Sequence, residues 1–288
     1  MELTATLQTE ACRVPERNTH AIQSVPVEAQ HRLPESQLVA GRQDLGWVWL
    51  ASPTLRYPHR ALGSPVHAGS VQARVRSRAG AWKLIELTLP LHRVYEDRQP
   101  RIVDLDQDGS EEILLIEADT LRGASLVVLG LDHSTEVPRL VERARSAFAG
   151  SAFRWLNPVG VADFDGDKHL DIAVIYTPHI GGDLRLLHFR PPLLVPFARA
   201  MDVSNHRMGA LEQEVAVIVQ QPTKCPAIVV PDMTRRAMLA LRWDTSGQWT
   251  ELGEALPMPG LVERLLPMSG GACATLADGR TLKVLLSP

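Results

Sequence analysis

The chain has 288 residues, a formal net charge of −3 and 45% hydrophobic residues. This composition is typical of a globular protein and excludes a wholly disordered chain, and the weakly negative charge argues against a nucleic-acid binder. No apolar run reaches the roughly 18 to 20 residues that a membrane-spanning helix needs. The 21 prolines and 20 glycines are spread along the chain, which predicts frequent turns rather than long helices.

Residues 1–45 form a polar N-terminal segment. It contains Pro15, Pro26 and Pro34 and has no sustained hydrophobic periodicity, so we predict a poorly ordered tail. Its first residues have neither the basic region nor the apolar region of a signal peptide, which leaves a cytoplasmic location open.

Residues 46–288 are predicted to form one all-β domain. Apolar or alternating runs of strand length recur there, with Gly, Pro and Asp turns between them, which is the pattern of a sandwich, barrel or propeller. The predicted strands are Trp47–Ala51, Val71–Arg76, Trp82–Leu89, Ile113–Ile116, Leu126–Leu129, Ile172–Tyr176, Leu184–Phe189, Val215–Val219, Ala227–Val230, Met238–Trp243, Ala272–Leu276 and Leu282–Leu286.

An internal repeat favours the propeller among these folds. Pro100–Gly130 and Pro158–Phe189 share one order of features: a proline, a short apolar strand, an acidic loop, a second strand, a glycine turn and a third strand. Looser copies without the acidic loop occupy Cys225–Asp244 and Ala272–Ser287. A period of roughly 40 to 60 residues with about four strands per unit is typical of propeller blades.

We therefore predict a β-propeller of five four-stranded blades, or six if the N-terminal segment folds into the ring. An open sheet edge at the seam would invite aggregation, so an N-terminal strand should close the ring. The isolated strand Trp47–Ser52 is predicted to do this by pairing beside Leu282–Leu286. The inner strands are expected near Ala61, Ile102, Val161, Val215 and Leu265.

The two acidic loops place carboxylates at positions one, three, five and nine. Such loops can wrap Ca²⁺, which takes six to eight oxygen ligands, and the backbone carbonyl at position seven would add another. An EF-hand is excluded because the flanks are strands and position twelve is Leu115 or Val174; a merely solvated acidic turn would leave the carboxylates repelling one another. The candidate ligands are Asp104, Asp106, Asp108, Ser110 and Glu112 in the first loop, and Asp163, Asp165, Asp167, His169 and Asp171 in the second.

Position six differs between the loops. Gly109 permits the left-handed backbone that such a loop needs. Lys168 stands there in the second loop, where it costs on the order of 1 kcal/mol of backbone strain and adds a positive charge near the ion. We therefore expect up to two structural Ca²⁺ ions, with the second site weaker.

These loops, each followed by an isoleucine, resemble the FG-GAP or VCBS repeats of β-propellers, including the calcium-binding repeats of integrin α-subunits. The segments RYPHRALG, VYEDRQPRIVDLD, FRWLNPVGVADFDGD and NHRMG resemble small bacterial FG-GAP or VCBS repeat-containing proteins, over about residues 47 to 288. The resemblance implies calcium-binding repeats, assigns the ten loop residues above as ion ligands, and implies a periplasmic or extracellular location.

A second set of polar and aromatic residues lies on loops that a propeller would bring to one mouth of its channel, where propellers usually bind ligands. Trp155 could instead pack between blades. His206 could instead be a structural histidine held by hydrogen bonds. A metal centre of His59, His179 and His206, and an acid–base couple of Asp97 with His206, are further alternatives. The predicted funnel consists of Tyr57, His59, Asp97, Arg154, Trp155, His179, Asn205, His206, Arg207 and Asp232.

The sequence predicts a calcium-stabilised, non-catalytic module that binds a protein or a glycan, with no catalytic residue assigned. The alternatives are a polysaccharide-active hydrolase or lyase using the same funnel, and a purely structural module of a larger envelope assembly. The protein is expected to be a monomer with no nucleic-acid partner and no membrane span. The cysteines leave two readings open: a Cys225–Cys273 disulfide with Cys12 free, or buried free thiols.

Overall fold

A computed structural model describes residues 4–8, 11–12, 26–221 and 224–287. The chain forms two compact units. Unit 1 consists of Met1–Asn18, Asn157–His188 and Pro196–Pro288, and unit 2 of Thr19–Leu156 and Phe189–Val195.

The described residues are almost entirely strands and turns, so the all-β prediction is confirmed. A short 3-10 turn occupies Val27–His31, and no helix among the described residues is long and apolar enough to cross a membrane. The strands, in chain order, are β1 (Thr4–Gln8), β2 (Val39–Ala40), β3 (Leu45–Thr54), β4 (His67–Arg76), β5 (Trp82–Thr88), β6 (Arg93–Tyr95), β7 (Arg101–Val103), β8 (Glu112–Asp119), β9 (Gly123–Asp132), β10 (Arg139–Arg145), β11 (Leu156–Ala162), β12 (Asp171–Tyr176), β13 (Asp183–Arg190), β14 (Leu193–Ala200), β15 (Val217–Gln221), β16 (Lys224–Pro231), β17 (Ala237–Trp243), β18 (Trp249–Glu251), β19 (Leu256–Pro257), β20 (Val262–Met268), β21 (Gly271–Leu276) and β22 (Thr281–Ser287).

Unit 2 contains two antiparallel meanders of the propeller type. One runs β2–β3–β4–β5 and the other β7–β8–β9–β10, and the short β6 pairs with both β4 and β8. The strands β8 and β9 are buried along almost their whole length, which explains their unbroken apolar runs. In the outer strand β10 only Leu140 and Ala144 are buried, and the other residues are partly or fully exposed, as in a strand with one solvated face.

Unit 1 repeats the same arrangement. Strands β15 to β18 form one antiparallel meander, and β20, β21 and β22 form another. The buried side chains of these two sheets, among them Val229, Leu265, Ala272 and Val284, share one apolar core. Each strand predicted from the sequence overlaps an observed strand, so the apolar runs were a sound guide to the sheets.

The predicted closing strand was wrong. Trp47–Ser52 lies in β3, which pairs with β4 and β2. The strand β4 is the next long strand along the chain, and consecutive strands commonly pair. The strand beside β22 is instead β1, with Thr4 opposite Ser287 and Leu7 opposite Val284. An N-terminal strand thus joins the last sheet, but it comes from the segment that the sequence predicted to be a tail.

Two further predictions need correction. Ala61 lies in a turn between β3 and β4 rather than in an inner strand, because Pro58 and Gly63 favour turns around it. Cys273 is bonded to Cys12, with their Cα atoms 5.9 Å apart, and Cys225 is free. The number of blades remains a prediction, as does the division at residue 45, since part of residues 1–45 lies outside the described residues.

Candidate functional site

The first acidic loop, Asp104–Glu112, connects β7 to β8 in unit 2. Asp104 accepts hydrogen bonds from the backbone N–H groups of Asp108 (3.1 Å) and Gly109 (3.0 Å). Carboxylate oxygens of Asp104, Asp106 and Asp108 lie within 4.8 Å of one another. The local hydrogen bonds therefore hold three of the predicted ligands around one point.

The fourth carboxylate of this loop, that of Glu112, is fully buried. Its Oε2 accepts a hydrogen bond from the Leu105 N–H at 2.9 Å, whereas Oε1 makes none. Burial raises the pKa of this carboxyl to about 7. The Arg143 guanidinium lies 3.6 Å from Oε1 and 3.3 Å from the carboxylate of Asp106.

Arg143 was not among the predicted site residues. It lies at a β-bulge, where the register between β10 and β9 shifts between Glu142 and Ala144. Such a bulge re-aims a side chain. The side chain crosses Gly130 on the neighbouring strand, and this brings its guanidinium to the acidic loop.

The second acidic loop, Asp163–Asp171, connects β11 to β12 in unit 1. Asp163 accepts hydrogen bonds from the N–H groups of Gly166 (2.7 Å) and Lys168 (3.0 Å), and Asp165 accepts one from Asp167 (3.0 Å). Ser110 and His169 each donate their backbone N–H to the aspartate two residues earlier in their loops. Both loops thus share two contacts, from the N–H at position six to the aspartate at position one and from the N–H at position seven to the aspartate at position five.

The last carboxylate of the second loop has a histidine partner. Asp171 is buried, accepts a hydrogen bond from the Phe164 N–H, and lies 2.9 Å from His188 Nδ1. The His188 ring stacks on Phe197 with the ring centres 4.0 Å apart. Burial raises the pKa of Asp171 to about 6. Asp165 belongs to two groups of potential ligands, one with Asp163 and Asp171 and one with Asp167 and His188.

The two loops have the same left-handed positions in the backbone, but the glycine stands at position six in the first loop and at position four in the second. Positions four and six are left-handed in both loops: Gln107 (φ 59°) and Gly109 (φ 94°) in the first, Gly166 (φ 82°) and Lys168 (φ 72°) in the second. The prediction of a strained backbone at Lys168 is confirmed, but Gln107 carries the same strain in the first loop.

In unit 2, the predicted funnel residues gather around the buried Glu96. His59 Nδ1 lies 2.7 Å from Glu96 Oε1, and Trp155 Nε1 donates to the Glu96 carbonyl at 3.1 Å. Tyr57 is buried, and its hydroxyl accepts a hydrogen bond from the Phe153 N–H. Burial raises the pKa of Glu96. This cluster is part of the core of unit 2 and reaches solvent only at its edge.

Asp97 and Arg154 have separate surroundings in the same unit. Asp97 is fully buried and accepts hydrogen bonds from the Arg101 guanidinium (2.7 Å) and the Ile116 N–H (2.9 Å). Arg154 is exposed, and its carbonyl accepts from the Ala124 N–H. Asp97 therefore organises the backbone of unit 2.

In unit 1, His179 and His206 contact each other. Their Nε2 and Nδ1 atoms lie 2.7 Å apart, and His206 Nε2 lies 2.9 Å from the carbonyl oxygen of Ala210. Burial lowers the pKa of His206 to about 3. The metal-ligand groups found among the described residues contain neither of them, and His59 is also absent from those groups.

The other predicted residues of unit 1 also have partners in the fold. Asn205 is buried and donates to the Asn157 carbonyl at 3.1 Å. Asp232 accepts hydrogen bonds from two N–H groups of the turn between β16 and β17. Arg207 is half exposed and lies 3.5 Å from Glu263.

A polar cleft of about 510 Å³ lies beside the second loop in unit 1. The sequence did not reveal it, because its walls come from segments far apart in the chain. Its lining consists of Asp163, Gly166, Gln220, Gln221, Lys224, Cys225, Pro226, Arg242, Asp244 and Thr245.

No protein-family profile matches the chain, and no curated protein matches it in sequence. Among solved structures, a candidate 6-phosphogluconolactonase from Bacteroides fragilis is similar at 12% identity and a TM-score of 0.45, covering 87% of this chain and 67% of that one. A rhamnogalacturonan lyase from Bacillus licheniformis is similar at 13% identity and a TM-score of 0.40, and the match covers 87% of this chain and 59% of the lyase. BamB from Moraxella catarrhalis has 13% identity and a TM-score of 0.30, with 88% and 97% covered. At this level of similarity the matches carry no information about activity, and the resemblance to FG-GAP repeats remains a prediction.

Proposed function

We propose that the protein is a calcium-stabilised, non-catalytic binding module with propeller-type sheets, and that its ligand is a protein or a glycan. The observation that carries this proposal is the recurrence of one loop structure in both units. In each loop, the aspartates at positions one and five accept hydrogen bonds from the loop's own N–H groups, and carboxylate oxygens of the loop lie close to one another.

The donor set fits Ca²⁺. The potential ligands are oxygens, apart from one histidine nitrogen at the second loop, and hard divalent cations prefer oxygen. Glu112 Oε1 is buried without a hydrogen bond, and a cation would satisfy it. The residues that would hold the ion are the ten predicted loop residues, with Ser110 and His169 contributing backbone carbonyls.

The second site is proposed to be the weaker one. Lys168 brings a positive charge into the loop, and His188 lies 2.9 Å from Asp171, where it competes for the same carboxylate. Arg143 plays a comparable part at the first loop, so both sites are expected to need abundant calcium. Extracellular modules bind Ca²⁺ with Kd values of about 10⁻⁴ to 10⁻³ M.

We also propose a periplasmic or extracellular location. The Cys12–Cys273 disulfide supports this, because such bonds persist in oxidising compartments and are rare in the cytosol. Those compartments also supply calcium at the concentrations that weak sites require. Cell fractionation would test the location, and a purely cytosolic protein with reduced cysteines would contradict it.

The non-catalytic assignment rests on the predicted funnel residues. Asp97 and Asp232 have their carboxylates engaged within their own units, and Asn205 donates from its amide nitrogen to the Asn157 carbonyl. The observation that favours the alternative, a polysaccharide hydrolase or lyase, is the 2.7 Å contact between His59 and Glu96, because a carboxylate can orient a histidine base. Glu96 is fully buried, however, and aromatic rings flank His59, which favours a structural role.

Thermal melts test the proposal. A ligand that binds only the folded state stabilises it by about 2.7 kcal/mol at a concentration of 100 Kd, so Ca²⁺ should raise the melting temperature above its value in EGTA, and Mg²⁺ should do so much less. Asp106→Asn and Asp165→Asn should each remove part of the gain, while Asp132→Asn, at the end of β9, should remove none. Equal melting temperatures in Ca²⁺ and EGTA would refute the calcium proposal.

A further inference from the structure

We propose that the polar cleft of unit 1 binds the acidic sugar of a glycan, a uronate whose carboxylate is held by Arg242 and Lys224. This inference rests on the proposed function as a binding module and specifies its site and ligand class. It concerns residues other than those of the predicted funnel.

The size and the walls of the cleft suit a small polar ligand. Its volume of about 510 Å³ lies in the range of small-molecule sites. The strands β15 and β16, the end of β17 and the Gly166 backbone form its walls. Its lining is rich in charged, amide and hydroxyl groups, whereas most drug-like pockets are predominantly apolar. Seven of its ten lining residues carry such groups, and this number of hydrogen-bonding side chains suits a sugar.

The cleft contains two cationic side chains, those of Lys224 and Arg242. Among the described residues, neither Lys224 nor Arg242 forms an ion pair with a carboxylate. Arg242 donates one hydrogen bond to Gln221 Oε1 at 3.3 Å, and the Nε2 of Gln221 is buried without a partner. An arginine fork binds a carboxylate through two parallel hydrogen bonds, and Lys224, which lines the same cleft, adds a second positive charge.

Hydrogen-bond acceptors stand in the same cleft. Asp244 uses Oδ1 to cap its own turn, accepting from the N–H groups of Ser246 and Gln248. Its Oδ2 makes no hydrogen bond to the described residues, and Thr245 offers a hydroxyl beside it. Such acceptors suit the hydroxyl groups of a sugar. With Asp163 and Asp244 both on the wall, a doubly charged phosphate is repelled more than a singly charged carboxylate.

Cys225 provides a reporter inside the cleft. It is the one thiol outside the disulfide, because the sequence has three cysteines. Its sulfur faces the second loop, 3.6 Å from the point where a Cβ on residue 166 would stand. A ligand bound between Arg242 and the loop would cover this thiol and slow its reaction with a disulfide reagent.

The experiment measures the reaction of Cys225 with Ellman's reagent in the full chain. Trigalacturonate should slow the reaction about tenfold at about ten times its Kd, because only the unoccupied fraction reacts. Arg242→Gln and Lys224→Gln should each abolish most of the protection. The matched control Arg236→Gln, an exposed arginine of the same unit that does not line the cleft, should retain it.

Three comparison probes decide the ligand class. Maltotriose, which has no carboxylate, should protect the Cys225 thiol only a little. Equal protection by maltotriose and trigalacturonate would overturn the uronate assignment. Equal protection by acetate or inorganic phosphate would reduce the cleft to a general anion site and overturn the saccharide assignment. No protection by trigalacturonate at millimolar concentration would refute the inference.

The same measurement in Ca²⁺ and in EGTA separates this inference from the calcium proposal. Protection that persists in EGTA, with no calcium effect on the melting temperature, would refute the calcium proposal and support the cleft. A calcium-dependent melting temperature without protection by trigalacturonate would do the reverse.

Discussion

Arg143 lies directly over Gly130: a Cβ atom at residue 130 would stand 2.8 Å from Arg143 Cγ. The glycine therefore leaves the space through which the arginine crosses from β10 to the first acidic loop. There the guanidinium lies near Asp106 and Glu112, and its positive charge partly neutralises the carboxylates that would otherwise face a bound metal ion. At the second loop His188 lies in a comparable place, opposite Asp171 in the pairing of β12 with β13.

Arg143→Gln should tighten calcium binding at the first loop by about threefold to tenfold, because removing one partly exposed charge near the ion is worth about 1 kcal/mol. Calorimetric titration in an Asp165→Asn background would isolate the first loop. Arg139→Gln is the matched control, since Arg139 lies on the same strand and pairs with Asp132 instead. Weaker binding in Arg143→Gln would show that the guanidinium supports the site.

The loop glycines give a second prediction. Gln107→Gly and Lys168→Gly should each stabilise the folded protein in EGTA by up to about 1 kcal/mol, because each residue has a positive φ that costs a side chain more than a glycine. Urea unfolding measures this. Lys168→Gln keeps the strain and removes the charge, so any gain shared by Lys168→Gln and Lys168→Gly reflects electrostatics. A loss of stability in Gln107→Gly would contradict the strain argument.

The sequence predicted the fully buried strands well, because burial on both faces demands continuous apolar runs, as in β8 and β12. The outer strands β10 and β14 were not predicted, because exposed charged residues and Pro196 interrupt their apolar pattern. Arg143 and His188 were missed for a related reason. Their places at the loops depend on a bulge and on cross-strand register, which a linear motif does not contain.

The sequence also did not predict which segments contact the two ends of the chain. The choice between Cys12 and Cys225 as the partner of Cys273 depends on which segment lies beside β21. Thr4–Gln8 has the alternation of a strand, but only its pairing with β22 distinguishes it from the polar residues around it. Contacts over such a sequence separation follow from the assembled sheets rather than from local pattern.

The disulfide gives a third prediction. Cys12→Ser should lower the free energy of unfolding by about 2 to 4 kcal/mol, because the bond closes a loop spanning 261 residues and restricts the unfolded chain. Urea unfolding without reductant measures the loss, and reductant should reproduce it in the unmodified protein. Cys225→Ser should have little effect. Recovery of a peptide linking Cys225 to Cys273 by mass spectrometry would contradict the assigned pair.

The buried His206 makes stability depend on pH. Its folded-state pKa of about 3 lies below the unfolded value of about 6.5, so its contribution is complete above pH 6.5 and is lost as the pH falls toward 3. Between pH 7 and pH 5 the loss should be about 2 kcal/mol. His206→Gln should flatten this dependence, whatever its effect at pH 7, whereas the exposed His31→Gln should not. Urea unfolding at both pH values is the test, and an unchanged slope in His206→Gln would contradict it.

The pairing of β1 with β22 gives the last prediction. Deleting residues 1–8 should expose the edge of β22 and so lower the melting temperature and promote aggregation, because an unpaired edge strand offers its backbone to other chains. Thr6→Pro should act in the same direction, because Thr6 lies opposite Leu285 with its N–H facing β22, and proline lacks the N–H that a ladder needs.

The matched control is Ala11→Pro, outside the strand and exposed. All variants are compared in a Cys12→Ser background, so that the disulfide does not hold the segment in place. Hydrogen exchange at Leu285, whose N–H faces β1, should accelerate in Thr6→Pro and stay slow in Ala11→Pro. The Leu286 N–H donates to the Gly270 carbonyl instead and serves as an internal reference. Equal exchange in both variants would show that β1 is dispensable and that β22 is protected in another way.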